Sequence, residues 1–174
     1  MARVRTIVTI SRYFLRLAAS TLGIKYGRPQ LETIFNYVKI SDTLATSGQP
    51  TEEQFTSIAD AGFDAVINLL PGKKENALKN EAEIVRGLGL GYTYIPVDFG
   101  APTAANFADF VQAMQANQDK RIWVHCAVNA RVSIFVARYR AEVLGEPSEQ
   151  AREHISQVWE PFGAWPAFLE GKTR

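Results

Sequence analysis

The chain has 174 residues, 47% of them hydrophobic and 21% charged, with a net charge of +1. A chain of this size buries a core without disulfides or metals, and its charge balance provides no electrostatic footprint for nucleic acid. Its single cysteine excludes an intrachain disulfide, and with only His125 and His154 as histidines no cluster has metal-ligand spacing, so neither metal nor cofactor is expected.

In chain order, residues 1–30 stand apart from a domain spanning 31–174. Arg3, Arg5, Arg12, Arg16, Lys25 and Arg28 precede the first acid, Glu32. Ile7, Ile10, Phe14, Leu17 and Ile24 recur at helical spacing, with Arg5, Arg12 and Arg16 on another face. Arginines inside this stretch argue against a membrane span or a secretory signal. Two readings stand: a helix appended to the domain, or a basic amphipathic segment resting on an anionic membrane.

Residues 37–40 and 44–47 predict paired strands. Thr51 and Gln54 form a capping box that opens a helix through Ala61, with Gly62 as its stop. A strand follows over 63–69. The turn Pro71-Gly72-Lys73-Lys74-Glu75 leads into a helix over 75–88, and its lysines are either solvated or close to an anionic substrate. The next strand is 92–97. Thr103 N-caps a helix through Asn117 that presents Phe107, Phe110, Val111 and Met114 on one face. Residues 122–126 are a strand, and 132–144 and 148–159 are helices, the second with His154 on its surface. Strands alternating with helices predict an α/β domain, a mainly parallel central sheet flanked by helices.

The chemistry concentrates at Val124-His125-Cys126-Ala127-Val128-Asn129-Ala130-Arg131-Val132-Ser133. A buried strand runs into a short loop and then a helix, so successive backbone N–H groups and the helix N-terminus form a nest for an oxyanion. The same field favours the thiolate of Cys126 as nucleophile. Arg131 can grip two oxygens bidentately. Ser133 is expected to hydrogen-bond the sulfur, and Asn129 to take a left-handed mid-loop conformation. His125, Ala127, Val128, Asn129, Ala130 and Arg131 are the expected substrate-binding residues. Asp98, on a loop at the end of the 92–97 strand and 28 positions before Cys126, is placed to act as general acid and then base. Asp109 and Asp119 are weaker candidates, being helical or helix-terminal.

The Cys126 loop resembles the signature of cysteine-dependent tyrosine and dual-specificity phosphatases, which is His-Cys, five residues, Arg, then Ser or Thr. Here four residues separate Cys126 from Arg131, and Val132 precedes Ser133. The Ser47-Gly48-Gln49-Pro50 segment, and Trp159-Glu160-Pro161 with Trp165 and Phe168, resemble a bacterial group of nonclassical relatives, a match over about residues 33–170. The resemblance implies a dual-specificity-phosphatase-like fold. It also implies hydrolysis of a phosphate monoester through a phosphocysteine, on a phosphorylated protein or small molecule. Two alternatives remain. The Cys-x4-Arg spacing also resembles rhodanese-like sulfurtransferases, and the short loop would suit a catalytically weak phosphate-binding module. A reactive thiol fits a reducing, cytoplasmic setting, to which residues 1–30 would add a membrane-surface contact.

Overall fold

The computed structural model describes residues 30–72 and 77–172. The expectations for the basic N-terminal segment and for Lys73 and Lys74 lie outside the described residues. Five strands, β1 (Val38–Lys39), β2 (Leu44–Ser47), β3 (Ala65–Asn68), β4 (Gly91–Tyr94) and β5 (Ile122–His125), form one sheet in the order β1-β2-β5-β3-β4. β1 pairs antiparallel with β2 and every other pairing is parallel. The helices are α1 (Glu52–Asp60), α2 (Glu81–Gly87), α3 (Ala104–Gln115), α4 (Ala130–Glu142), α5 (Ser148–Arg152), α6 (Ile155–Val158) and α7 (Trp165–Leu169).

The two-residue alternation of strands sorts the core into two layers. Ala45, Val66 and Trp123, which are register partners, pack with Phe55 and Ile58 of α1 and Val85 of α2. Leu44, Ile67, Ile122 and Val124 point the other way, onto Phe110 of α3, Phe135 of α4 and Phe168 of α7. Carried one step further, the same alternation puts His125 on the α1/α2 side, where its ring meets Phe55 edge-on at 5.6 Å, and Cys126 in the opposite layer.

The capping boxes are formed at Thr51 with Gln54 and at Thr103 with Asn106, and Gly62 takes φ 78° after α1. Three predicted helices differ. Of the helix expected over 75–88, the described residues 77–80 are not helical and α2 begins at Glu81, because Asn80 holds φ 59° and a left-handed residue cannot sit inside a helix. The helix expected from Val132 begins at Ala130, behind Asn129 at φ 67°. The helix expected over 148–159 is split into α5 and α6, and His154, expected on its surface, is buried instead. Its Nε2 meets the Ser133 carbonyl oxygen at 2.9 Å. Arg140 can only donate to Nδ1, at 3.4 Å, so Nε2 carries the proton and the imidazole is neutral.

Candidate active site

The segment between β5 and α4 is polarised by what lies behind it. Gln49 N donates to Ala127 O at 3.1 Å, and Asn36 Nδ2 donates to Val128 O at 2.9 Å. Asn129 Nδ2 reaches back to Asn36 O and to Thr46 Oγ1. These bonds turn the loop carbonyls toward the Asn36 and Gln49 segments. The amides of Ala127, Val128, Ala130 and Arg131 are left without an acceptor among the described residues. Asn129 makes the turn in a left-handed conformation, as expected of an asparagine in that place. Gly48 allows the two segments to approach: a Cβ there would lie 2.8 Å from Ala127 O and 3.0 Å from Phe35 O.

Cys126 is fully buried at the base of this loop, while Ala127 and Val128 are partly exposed. Arg131, in the first turn of α4, is almost fully buried; its Nε donates to Val97 O at 2.9 Å, and its guanidinium lies 5.3 Å from the centre of the Phe99 ring. Its two terminal NH2 groups make no hydrogen bond among the described residues. Asp98 lies between those two contacts and is exposed, with Oδ1 accepting from Gly100 N at 2.7 Å. The structure therefore brings Arg131 and the Asp98 loop together at the sheet edge that carries Cys126. Asp109 stands on α3, lining an open cleft of about 380 Å³ beside β4 with Tyr94 and Gln112, away from these contacts.

Two expected site residues are placed differently. The Ser133 hydroxyl is not bonded to the sulfur: it donates to Ala130 O at 2.9 Å and accepts from Trp159 Nε1 at 3.1 Å. Helical geometry favours this, since a serine hydroxyl reaches the carbonyl one turn back more readily than a group beyond the helix start. The His125 ring does not face the loop. It is wholly buried on the other side of the sheet, where Nε2 lies 3.1 Å from Glu81 Oε1.

Glu81 was not foreseen from the sequence. Its carboxylate accepts from His125 Nε2, Gln49 Nε2, Asn68 Nδ2 and Tyr92 OH. Burial alone would raise its affinity for a proton, but the His125 ring and the bonds from His125, Gln49 and Tyr92 outweigh this and hold the carboxyl below the ordinary glutamate value. Burial first, and then the Glu81 charge, push the Tyr92 phenol far above its usual range, so it remains a donor. Of this cluster, only His125, in the Cys126 motif, and Gln49, inside the Ser47–Pro50 segment, carried a sequence signal.

Residues 36–161 match the family model described as DSP-PTPase phosphatase fused to NAD+ kinase. Over 103 residues the chain is 35% identical to a Beta-lactamase hydrolase-like protein of Xylella fastidiosa, a match that covers 58% of this chain and 24% of that one. The chain thus spans about a quarter of that curated relative's length. A putative phosphatase from Shewanella putrefaciens CN-32 is similar in structure, with a TM-score of 0.73 and 30% identity over 82% of this chain and 93% of that one. PTPMT1, solved in complex with PI(5)P, gives a TM-score of 0.67 at 22% identity over 78% of this chain and 93% of its own, a likeness of fold. No described helix is long and apolar enough to cross a membrane.

Proposed function

The chain belongs to the family described as DSP-PTPase phosphatase fused to NAD+ kinase, and from that premise we propose that it hydrolyses phosphate monoesters through a phosphocysteine on Cys126. The observation that carries this reading is the polarity of the 126–131 loop. Its carbonyls are bonded to the segments behind it, which leaves amides and the Arg131 NH2 groups available to an anion beside the one thiol of the chain.

The steps follow from the side chains. The Cys126 thiolate attacks phosphorus, forming the S–P bond as the P–O bond to the leaving alcohol breaks. The loop amides and Arg131 hold the non-bridging oxygens, where positioning and charge stabilisation provide most of the acceleration in phosphoryl transfer. Asp98 gives its proton to the departing oxygen, then takes one from the water that attacks the phosphocysteine, releasing phosphate and the thiolate. His125 acts here as a support of the loop, through Glu81, while Ser133 ties the first turn of α4 to Trp159.

A phosphorylated protein or a small phosphate ester would meet this requirement. We assign residues 1–30 a contact with anionic membrane, on their six basic residues and lack of acids, and the protein a reducing, cytoplasmic setting that keeps the thiol free. Sedimentation with anionic vesicles, with and without residues 1–30, tests the contact; equal sedimentation of both forms would remove it.

Phosphate release from an aryl phosphate, measured for the wild type and Cys126→Ser, tests the activity. Release by the wild type alone is the expected result. Equal release by both would eliminate Cys126 as nucleophile. Thiosulfate-to-cyanide transfer without phosphate release would replace this reading with sulfur transfer.

A further inference from the structure

One buried carboxylate joins most of the sheet edge behind the active loop. Glu81 opens α2, and its four donors come from four other places in the chain: Gln49 just after β2, Asn68 ending β3, Tyr92 in β4 and His125 ending β5. Glu81 and His125 are 5% and 0% exposed. Among the described residues, Tyr92 and His125 are the titratable groups that reach the carboxylate, and Gln49 and Asn68 are neutral. The Arg86 guanidinium lies 5.7 Å from the Tyr92 ring centre.

We propose that Glu81 is a positioning residue for the Cys126 nucleophile, acting through His125; this rests on the phosphocysteine reading above. An ionised carboxylate only accepts, so His125 Nε2 must carry a proton wherever this bond is made. Glu81 therefore selects the protonation pattern of the ring as well as its orientation. His125 and Cys126 are consecutive, at the point where the chain leaves β5, so the bond to Glu81 anchors the residue from which the loop springs. Three further donors hold the carboxylate in place, and Nδ1 of His125 has no partner among the described residues. Among the described residues, Glu81 thus provides the one side-chain hydrogen bond on that ring. Its role parallels that of a carboxylate that orients a functional histidine in other sites.

The first test needs neither a variant nor a substrate. Nitrogen-15 spectra of the full chain should give His125 Nε2 protonated at neutral pH; a bare Nε2 would overturn the proposal. The second uses the fact that Cys126 is the only cysteine, so iodoacetamide alkylation reports on this thiol alone. Glu81→Gln keeps the shape but leaves a single acceptor oxygen for the four donors. Alkylation of the folded variant should slow by about 10- to 100-fold, and the His125 signals should change with it. His125→Asn should cause a similar loss, and the double variant should lose no more than the larger single effect. An additive double loss, or full reactivity in folded Glu81→Gln, would overturn the assignment. These readouts are independent of turnover, so a failed phosphatase assay with positive results here would count against the activity and not against Glu81.

Discussion

Arg131 Nε donates to the Val97 carbonyl oxygen at 2.9 Å, and this bond ties the arginine to the loop that carries Asp98. The next contact along the same loop, Phe99 against the guanidinium, closes the arrangement on the other side of Asp98. Nε is thereby committed to the protein and the two NH2 groups make no hydrogen bond among the described residues; on the function proposed above, they are the fork that the short Cys-x4-Arg loop would present to an anion. Acid and arginine are held in one unit although 33 positions separate Asp98 from Arg131.

Asp98→Asn should therefore reduce kcat for an alkyl phosphate by about 10²–10⁴-fold, with KM little changed, since the anion contacts remain. An aryl phosphate, whose leaving group needs less help from a proton, should lose less. Steady-state kinetics on both esters check this; full activity on the alkyl ester would remove Asp98 from the mechanism.

Ser133→Ala should leave Trp159 Nε1 as a buried donor without a partner and cost about 1–3 kcal/mol of stability. Because the hydroxyl is bonded to Ala130 O and Trp159, Cys126 alkylation should be nearly unaffected. Denaturant unfolding and alkylation, measured together, separate the structural role from a direct one on sulfur.

Gly48→Ala places a methyl group 2.8 Å from the Ala127 carbonyl, a backbone atom that cannot swing aside. The active loop must shift, with a stability loss of about 1–3 kcal/mol and a fall in turnover larger than that of a surface Gly→Ala. Thermal melts and kinetics of Gly48→Ala beside Gly87→Ala, whose added methyl would meet nothing within 4 Å, provide the comparison.

His154 carries a pH prediction. Burial chiefly, helped by the Arg140 charge, pushes it down from 6.5 to about 4. Between those values the unfolded chain binds the proton and the folded one does not, so stability is full above pH 6.5 and falls as pH drops toward 4. The total is about 3 kcal/mol. Unfolding free energies from pH 7.5 to 4 should show this slope, and His154→Gln should flatten it. Glu81, held below its ordinary value, acts in the same direction at lower pH: its contribution is present above the normal glutamate range and lost below it.

What the chain determines by itself is local. The capping box at Thr51, the N-cap at Thr103, the stop at Gly62, the turn at Asn129 and the strand before Cys126 all depend on neighbours a few positions away, and each is present where the order of residues places it. The strand-loop-helix around Cys126 is legible for the same reason. Partners distant in sequence were decided only by the tertiary structure. Ser133 is bonded to Trp159, 26 positions on; His125 to Glu81, 44 positions back; Arg131 to Val97, 34 positions back. His154 looked like a surface residue because helical periodicity carries no information about a break, and its ring is held inward by the Ser133 carbonyl of α4. Periodicity reports which face of an element is apolar; which buried polar group meets which depends on how the layers dock, and the cost of leaving such a group unpaired is what selects the pairings.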